Sequence, residues 1–352
     1  MAPKIFITGV TGYVGGDALH VLYEKHPDWE YAALVRTEQK AEAVKKAFPK
    51  LRIVIGNLDD ASVLEKEAAA ADVVIHTADA SDHEAAARAI AKGLAQHTKD
   101  HPGFWLHTGG AGILAWEDMR DMDNRLGTAS DRKYNDWTAV HELTSLPSDA
   151  FHRNVDEVVL EAGRNGGQGG GIRTAIVCPP TIFGGGRGPN NSRSRQVYEL
   201  AKFILKEEYV PIIGKGQTIW NNVHVHDLSE FFVLLTEAAV SGKHNNDAEL
   251  WGEKGYFLTN AGEHNWADLA RKTGKKAVEL GFVKKEGQLK EEQLSKQEAL
   301  DRAGFEAISW GLNSRGKADR ANKTLGWAPV KGTIENYVEE ILRDEKERLD
   351  RK

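Results

Sequence analysis

The chain has 352 residues, of which 41% are hydrophobic and 28% charged, and its formal net charge is −6. These values describe an ordinary globular protein with room for one large domain or two. The acidic balance argues against a nucleic-acid or anionic-membrane surface. No apolar run approaches the ~18 residues of a membrane span. The single cysteine, Cys178, excludes an intrachain disulfide. With no secretory pattern at the start, we expect a cytoplasmic protein.

The first motif along the chain predicts a dinucleotide site. An apolar run at residues 5–7 ends at a glycine-rich turn, and a helical pattern follows. Gly9 permits the tight turn, Gly12 lets the backbone approach a pyrophosphate, and Gly15 lets the helix pack on the strand. The helix start presents free N–H groups and a positive dipole end to phosphates. The cofactor contacts expected here are Gly9, Thr11, Gly12, Tyr13 and Val14.

Apolar strands and helical segments then alternate. Strands are predicted near 31–36, 51–56, 72–78, 104–110 and 173–178, and helices near 38–48, 62–71, 83–97 and 151–163. Near-continuous apolar strands separated by helices are typical of a parallel sheet covered on both faces. The fold class is therefore α/β, a doubly wound parallel (Rossmann) sheet with a smaller C-terminal lobe. Cofactors in such sheets bind at the carboxyl ends of the strands.

The predicted domains follow from this pattern. Residues 1–183 form the dinucleotide-binding core, completed by about 217–243 and 255–260. Residues 184–216 and 261–352 form the substrate-binding lobe. His224 and His226 alternate on a strand without a third ligand at a familiar spacing, so we expect no metal site.

Five segments, in the right order, resemble the extended short-chain dehydrogenase/reductases, the group of nucleotide-sugar epimerases and dehydratases. They are the glycine turn at 8–15, the strand at 72–78, the loop at 179–184, the strand at 222–227 that returns to the central sheet in this group, and the Leu-Gly-Trp-x-Pro segment at 325–329. The resemblance runs nearly the full length. It implies a nicotinamide cofactor and a small-molecule substrate.

The end of the second strand favours NADP(H), with NAD(H) possible. An NAD enzyme normally carries a carboxylate there for the ribose hydroxyls, whereas this chain has Arg36, which can bind a 2′-phosphate bidentately. Lys40, one helical turn later, is placed to help. The resemblance assigns further cofactor contacts to Asn57 and Leu58 at the adenine, to Thr77, Ala78 and Asp79 along the ribose and nicotinamide, and to Pro179 and Thr181 after the sixth strand.

The family's Tyr-x-x-x-Lys pair is not found where it is expected, on a helix over 146–163. Aligning the apolar stripe places Ser148 at the tyrosine position and His152 at the lysine position. A shift of one residue places Asp149 and Arg153 there instead. Because histidine suits acid–base work near neutrality, His152 is the first candidate for catalysis and for the nicotinamide ribose. Thr108 lies two residues before the place of the family's catalytic hydroxyl.

The substrate is expected over the nicotinamide, between the sheet and the C-terminal lobe. Candidate wall residues are His107, Thr108, Gly109, Trp116, Pro180, Thr181, Trp220 and Asn221, and residues 192–196 fall where nucleotide-sugar enzymes hold a diphosphate. Tryptophans such as Trp137 and Trp251 suggest a bulky or aromatic substrate. The favoured function is an NADP(H)-dependent oxidoreductase with a non-standard proton relay, acting as a monomer or homodimer. The alternatives are a redox-sensing binding protein without catalysis and an epimerase or dehydratase that recycles its nucleotide.

Overall fold

A computed structural model describes residues 2–166, 170–285 and 287–351. The strands are β1 (Lys4–Thr8), β2 (Glu30–Val35), β3 (Arg52–Ile55), β4 (Val73–His76), β5 (Gly103–Thr108), β6 (Tyr134–Asn135), β7 (Ile172–Cys178), β8 (Thr181–Phe183), β9 (Val210–Ile213), β10 (Ile219–His224), β11 (Tyr256–Leu258), β12 (Gly262–Asn265), β13 (Glu291–Leu294) and β14 (Gly316–Lys317).

The helices are α1 (Tyr13–Lys25), α2 (Glu38–Ala47), α3 (Ala61–Ala70), α4 (Glu84–Leu94), α5 (Trp116–Arg120), α6 (Met122–Arg125), α7 (Val140–Thr144), α8 (Arg153–Asn165), α9 (Gln196–Glu207), α10 (Val225–Val240), α11 (Trp266–Glu279), α12 (Lys296–Ser309), α13 (Arg320–Leu325) and α14 (Val338–Asp350). Short 3₁₀ turns lie at Ala111–Ala115, Gly252–Lys254 and Ile334–Tyr337.

Seven strands form the central sheet in the order β11-β7-β5-β4-β1-β2-β3, and every pairing in it is parallel. Successive side chains of a strand point to opposite faces. Ile5 and Ile7 accordingly pack with α1 and α10 on one face, whereas Phe6 packs with α3, α4 and α8 on the other. Both faces are covered, which confirms the predicted doubly wound α/β class.

The smaller lobe has a core of its own. Its buried residues come from α9, α11, α12, α14 and β9. The strand β9 pairs with β13 outside the central sheet. This lobe lies beside the carboxyl ends of the central strands, where the cleft described below opens.

One predicted strand joins a different sheet. The segment at 222–227 was expected to return to the central sheet, but β10 pairs with β8 and β12 in a separate three-stranded sheet. The edge beside β7 is taken by β11 instead. Tyr256, Phe257 and Leu258 of β11 are fully buried although β11 is an edge strand, so both of its faces are covered. The side chains of Asn221 and Asn222 of β10 form hydrogen bonds within the small sheet and to its neighbours.

Candidate active site

A cleft of about 530 Å³ opens at the carboxyl ends of β1, β4 and β5. The sheet side contributes residues such as Gly12, Tyr13, Thr77, Asp79, Thr108 and Pro179, and the second lobe contributes residues such as Arg195, Trp220, Phe305 and Glu306. This is the position at which ligands bind in doubly wound sheets.

The glycine turn leaves one face of the cleft free of side chains. Gly9 has a φ of +84°, and a Cβ built on it would stand 2.8 Å from the Ala78 nitrogen. A Cβ on Gly15 would stand 2.6 Å from the Gly9 oxygen. A Cβ on Gly12 would meet only the Gly9 oxygen within 4 Å, at 3.1 Å. Gly12 therefore opens the start of α1, with its free N–H groups, to a phosphate. These residues fit the pyrophosphate of a dinucleotide.

Threonines fix the edge of this cradle. The Thr77 hydroxyl donates to the Thr8 carbonyl at 2.7 Å, and the Thr77 and Ala78 N–H groups donate to the Thr8 hydroxyl at 3.2 and 3.3 Å. Asp79 follows with a positive φ of 45°, and its side chain lines the cleft. The turn after β4 is thereby held against the turn after β1.

Tyr13 and Asp17 attach α1 to the loop after β8. The Tyr13 hydroxyl donates to the Gly184 carbonyl at 2.6 Å, and burial holds the pKa of Tyr13 well above its ordinary value. The buried Asp17 binds the Arg187 guanidinium at 2.6 Å and accepts from the Ser229 hydroxyl at 2.6 Å. Tyr13 therefore lines the cleft as a fixed wall.

The predicted adenine and 2′-phosphate residues lie at the ends of β2 and β3. Arg36 and Lys40 are exposed, at the end of β2 and on α2. Asn57 is exposed too, and its Oδ1 accepts from the Asp59 N–H at 2.7 Å. Leu58 packs its half-buried side chain against the core.

The predicted helix over 146–163 begins later than expected. α8 starts at Arg153, and its N-cap is His152, with a left-handed φ of 68°. Ser148 and His152 therefore do not stand on successive turns of one helix. Of the apolar stripe that set the expected register, the residues from Val155 to Ala162 lie on α8, whereas Phe151 lies in the turn before the helix.

The turn at His152 places its imidazole in the cleft. His152 Nδ1 lies 2.7 Å from Asp82 Oδ1, and both residues line the cleft. Burial raises the pKa of Asp82, but the hydrogen bond and charge of His152 outweigh it, so the carboxyl is held below its ordinary value. An ionised Asp82 fixes the imidazole through Nδ1 and leaves Nε2 for the cleft.

Two glycines make room for this imidazole. A Cβ on Gly110 would stand 3.1 Å from His152 Nε2, and a Cβ on Gly112 would stand 3.0 Å from the Phe151 ring. Gly110 occupies the place where the family resemblance expects a serine or threonine. A serine or threonine side chain at position 110 would crowd the His152 imidazole, so the absence of this hydroxyl and the position of His152 depend on each other.

Of the other three predicted catalytic residues, Ser148 and Arg153 lie outside the cleft and Thr108 lies in it. Ser148 and Arg153 line a separate shallow pocket with Glu84 and Glu157, and Arg153 donates to the Thr144 carbonyl at 2.9 Å. The structure does not bring these two residues into the cleft. Thr108 does line the cleft, and its hydroxyl has no hydrogen-bond partner within the described part of the chain.

Half of the predicted substrate wall lines the cleft. Thr108, Gly109, Pro180 and Trp220 do, whereas His107, Trp116, Thr181 and Asn221 do not. His107 is wholly buried, which holds its pKa well below the ordinary value. Trp116 donates its indole N–H to the Tyr134 hydroxyl at 2.7 Å, and Thr181 donates to Gln196 at 2.9 Å.

Most of the tryptophans that suggested substrate walls have structural contacts instead. Trp251 is buried and donates to the His244 carbonyl at 2.7 Å, and Trp137 lies under the Arg320 guanidinium. The aromatic residues at the mouth of the cleft are Phe151 and Phe305, which sequence reasoning missed. Asp82, 70 positions from His152, was missed as well, because no local spacing signals such a pair.

The two arginines of residues 192–196 have different surroundings. Arg193 binds both oxygens of Glu345, at 2.6 and 3.0 Å, and lies 2.8 Å from Glu199. It therefore ties the loop to α14. Arg195 is exposed and pairs with Glu306 at 2.6 Å. Each guanidinium already has a carboxylate partner.

Comparison with known proteins identifies the family. An NAD(P)H-binding family model matches residues 9–101, and the model of the NAD dependent epimerase/dehydratase family matches residues 152–250. The chain is 36% identical to the oxidase ucsJ of Acremonium sp, over 99% of both chains. The chain belongs to the NAD-dependent epimerase/dehydratase family. The predicted resemblance to extended short-chain dehydrogenase/reductases is thereby confirmed.

Other members of the family differ in what they do. A 3-beta-hydroxysteroid dehydrogenase of Mycolicibacterium neoaurum is 24% identical over 68% of this chain and 62% of its own. The dTDP-glucose 4,6-dehydratase DesIV of Streptomyces venezuelae, solved with NAD and TYD bound, superposes with a TM-score of 0.65 at 16% identity, covering 99% of this chain and 98% of that one. At that identity the superposition establishes the shared fold.

None of the helices that the structure describes combines the length and apolarity needed to cross a membrane. No cluster of three or more histidine, cysteine or acidic side chains in residues 2–166, 170–285 and 287–351 is arranged to hold a metal ion.

Proposed function

We propose that this protein is an NADP(H)-dependent oxidoreductase that interconverts a carbonyl and an alcohol on a small molecule, with His152 as the proton donor and acceptor. The observation that carries the proposal is the pair of His152 and Asp82 in the cofactor cleft, 2.7 Å apart. The 36% identity to a protein named as an oxidase supports redox chemistry.

The proton path follows from the two ring nitrogens. Asp82 accepts a hydrogen bond from Nδ1–H, so Nδ1 keeps its proton. The proton that is exchanged is the one on Nε2: with it the ring is the imidazolium, and without it the ring is the neutral Nδ1–H tautomer. Held by the glycine turn from Gly9 to Gly15, NADPH would supply the hydride that the carbonyl carbon takes up. His152 donates its Nε2 proton to the carbonyl oxygen as the alcohol forms, and takes it back in the reverse reaction. Asp82 stabilises the protonated imidazole before the proton is given up and again after it is taken back.

Among the described residues, no tyrosine of this cleft is placed to transfer the proton that a tyrosine usually transfers in this family. Among the described residues that line this cleft, the only tyrosine is Tyr13 and there is no lysine. The Tyr13 hydroxyl is already bound to the Gly184 carbonyl, and its pKa is raised by burial. An acid–base group with a raised pKa above 10 is poorly matched to neutral pH, which supports His152.

NADP(H) is the proposed cofactor, with Arg36 and Lys40 as the groups for the 2′-phosphate. Both are exposed, Arg36 directly after β2 and Lys40 on α2, and β2 pairs with β1, the strand that leads into the glycine turn. A guanidinium binds phosphate oxygens through two parallel N–H donors. No carboxylate stands at the end of β2 to repel the phosphate, since Val35 is followed by Arg36 and Thr37.

The test is NADPH oxidation followed at 340 nm against a panel of aromatic and aliphatic ketones and aldehydes. We expect turnover with some members and a loss of roughly 10²–10⁴ in kcat on His152→Gln. The dissociation constant of NADPH is expected to stay within about twofold, because glutamine keeps the polar contacts of the cleft wall. His101→Gln, an exposed histidine elsewhere, is the matched control.

Each alternative gives a distinct result. Tight nucleotide binding with no net redox on any panel member would favour an epimerase or dehydratase. NADPH binding without turnover, joined to capture of a protein partner, would favour a regulatory protein. Full activity of His152→Gln would remove His152 from the proton path.

A further inference from the structure

Phe305 is an exposed aromatic side chain at the mouth of the cleft. It is 47% exposed, and the only other large hydrophobic residues exposed in the described parts of the chain are Ile55 and Val330. Its ring lies 5.6 Å from that of Phe151, which in turn lies 3.6 Å from the His152 imidazole. An exposed apolar surface beside a catalytic candidate marks a place for a ligand.

A break in α12 puts Phe305 there. Gly304 interrupts the helix with φ 66° and ψ −160°, a conformation that is open almost only to glycine. The three residues of the last turn that line the cleft, Phe305, Glu306 and Ser309, all follow this break. A Cβ on Gly304 would meet nothing within 4 Å, so packing does not call for glycine at this position. The backbone conformation calls for it.

The ionisable side chains around this end of the cleft are already paired with one another. Arg195 pairs with Glu306, His152 with Asp82, and Arg193 is held by Glu345. The remaining wall here is largely apolar and includes Met119, Ile182, Trp220 and Leu312. A nucleoside diphosphate would have to break the arginine pairs, which costs their charge-assisted hydrogen bonds.

We propose that Phe151 and Phe305 form an aromatic subsite that binds the flat, uncharged ring system of an aromatic ketone or its alcohol beside His152. This rests on the proposed oxidoreductase function and names its substrate class. A planar ring stacks on or against both phenylalanines, and its carbonyl then lies within the part of the cleft that His152 and Thr108 border. Among the described residues of this cleft, Arg193 and Arg195 already have carboxylate partners, so the subsite offers ring surface and no free cation and discriminates against sugar nucleotides.

The experiment measures binding apart from turnover. Protein saturated with NADP⁺, which has no hydride to give a ketone, is titrated with 2-acetylnaphthalene by calorimetry. The controls are 2-acetyldecalin, a saturated ketone of similar size, and UDP-glucose. We expect the naphthyl ketone to bind roughly tenfold more tightly than the saturated one, a difference of about 1.4 kcal/mol. UDP-glucose should give no measurable heat.

Two substitutions place the effect on the subsite. Phe305→Ala should weaken binding of the naphthyl ketone about tenfold, and Phe305→Leu should weaken it nearly as much, since leucine keeps apolar area and loses the ring. Because Phe305 is half exposed, neither change should unfold the protein. Val330→Ala, at a residue 80% exposed, is the matched control and should change nothing. Gly304→Ala should act like Phe305→Ala by turning the last helical turn away.

The outcomes separate the two proposals. Binding of the naphthyl ketone without any NADPH turnover would keep the aromatic subsite and overturn the redox function. Turnover with no preference for aromatic over saturated ketones, or an unchanged dissociation constant in Phe305→Ala, would overturn the subsite and keep the redox function. Tighter binding of UDP-glucose than of the ketone would also overturn the subsite.

Discussion

At the nucleotide end of the cleft the turn from Gly9 to Gly15 offers main-chain N–H groups, whereas the catalytic end consists of side chains from distant segments. The first end depends on atoms that every residue has, and its sequence requirement is the absence of a Cβ. The second depends on Asp82, His152 and Phe305, which meet only in the fold. The difference explains how a dinucleotide cradle stays recognisable while the chemistry beside it changes.

For binding of the nucleotide, the largest expected effect is at the first end. Gly9→Ala combines a positive φ with a Cβ 2.8 Å from the Ala78 nitrogen. A positive φ alone costs an alanine about 1–2 kcal/mol, and the steric conflict adds to it. We expect NADPH affinity to fall at least about 100-fold, or about 2.7 kcal/mol. Gly242→Ala is the matched control, because Gly242 has a φ of +72° and nothing within 4 Å of its Cβ. Gly242→Ala should lower the free energy of unfolding only by the cost of the positive φ, and its affinity for NADPH should not change. Equal effects of the two changes would contradict the steric account.

The next effect concerns the helix that carries His152. Asp156 on α8 is wholly buried; it accepts a hydrogen bond from the Tyr256 hydroxyl at 2.8 Å, and its Oδ1 has no partner in the described residues. Burial raises its pKa from 3.8 to about 6. The folded protein therefore holds more protons than the unfolded chain between these values, so this group's contribution to stability falls as the pH rises from about 4 to 6.

Asp156→Asn removes that dependence. Relative to the wild type, its free energy of unfolding should improve by up to about 3 kcal/mol between pH 4 and pH 7, at about 1.4 kcal/mol for each unit of pKa difference. Urea denaturation at pH 4, 5, 6 and 7 measures it. Asp100→Asn, at an exposed position, serves as the control. A difference between Asp156→Asn and the wild type that does not change with pH would show that the carboxylate is not strained by burial.

The sequence patterns predicted well those features that depend only on residues adjacent in the chain. The alternation of Ile5, Phe6 and Ile7 between the two faces is a local property of a strand, and so are the glycines of the turn. Which strands pair with each other is not decided by adjacent residues. The strand β10 was assigned to the central sheet from its resemblance, but the apolar β11 occupies the edge beside β7. Nothing within β10 itself reveals that competition.

The catalytic end was harder to predict for the same reason. His152 was selected from an apolar register that assumed a helix from residue 146, yet it reaches the cleft because the chain turns at a left-handed residue just before α8. Its partner Asp82 lies 70 positions away. Phe305 stands in a segment whose charged composition suggests solvent exposure, and only the break at Gly304 brings it to the cleft. Long-range contacts and one unusual backbone conformation decided these positions.

A smaller effect tests whether Asp82 positions His152. In Asp82→Asn the amide oxygen still accepts from Nδ1 but the negative charge is lost, so we expect kcat to fall roughly tenfold, about 1.4 kcal/mol, with little change in the KM for NADPH. Asp82→Glu should restore part of kcat by returning the charge. Asp59→Asn is the matched control, because Asp59 lies 3.3 Å from His83 in a similar pair outside the cleft. An unchanged kcat in Asp82→Asn, or a fall in melting temperature that accounts for the loss, would contradict a positioning role.

The last effect, also about tenfold, is at the nucleotide end. Arg36→Ala should raise the dissociation constant of NADPH about tenfold, since one charge-assisted contact to a phosphate is worth about 1.5–3 kcal/mol and an exposed site lies at the low end. The dissociation constant of NADH should stay within about twofold, because NADH lacks the 2′-phosphate. Lys40→Ala, one helical turn later, should act in the same direction more weakly, as a flexible point charge does. Raising the salt concentration should shrink the Arg36 effect. An equal loss for both cofactors would mean that Arg36 supports the turn itself, and the two ends of the cleft would then differ less than their geometry suggests.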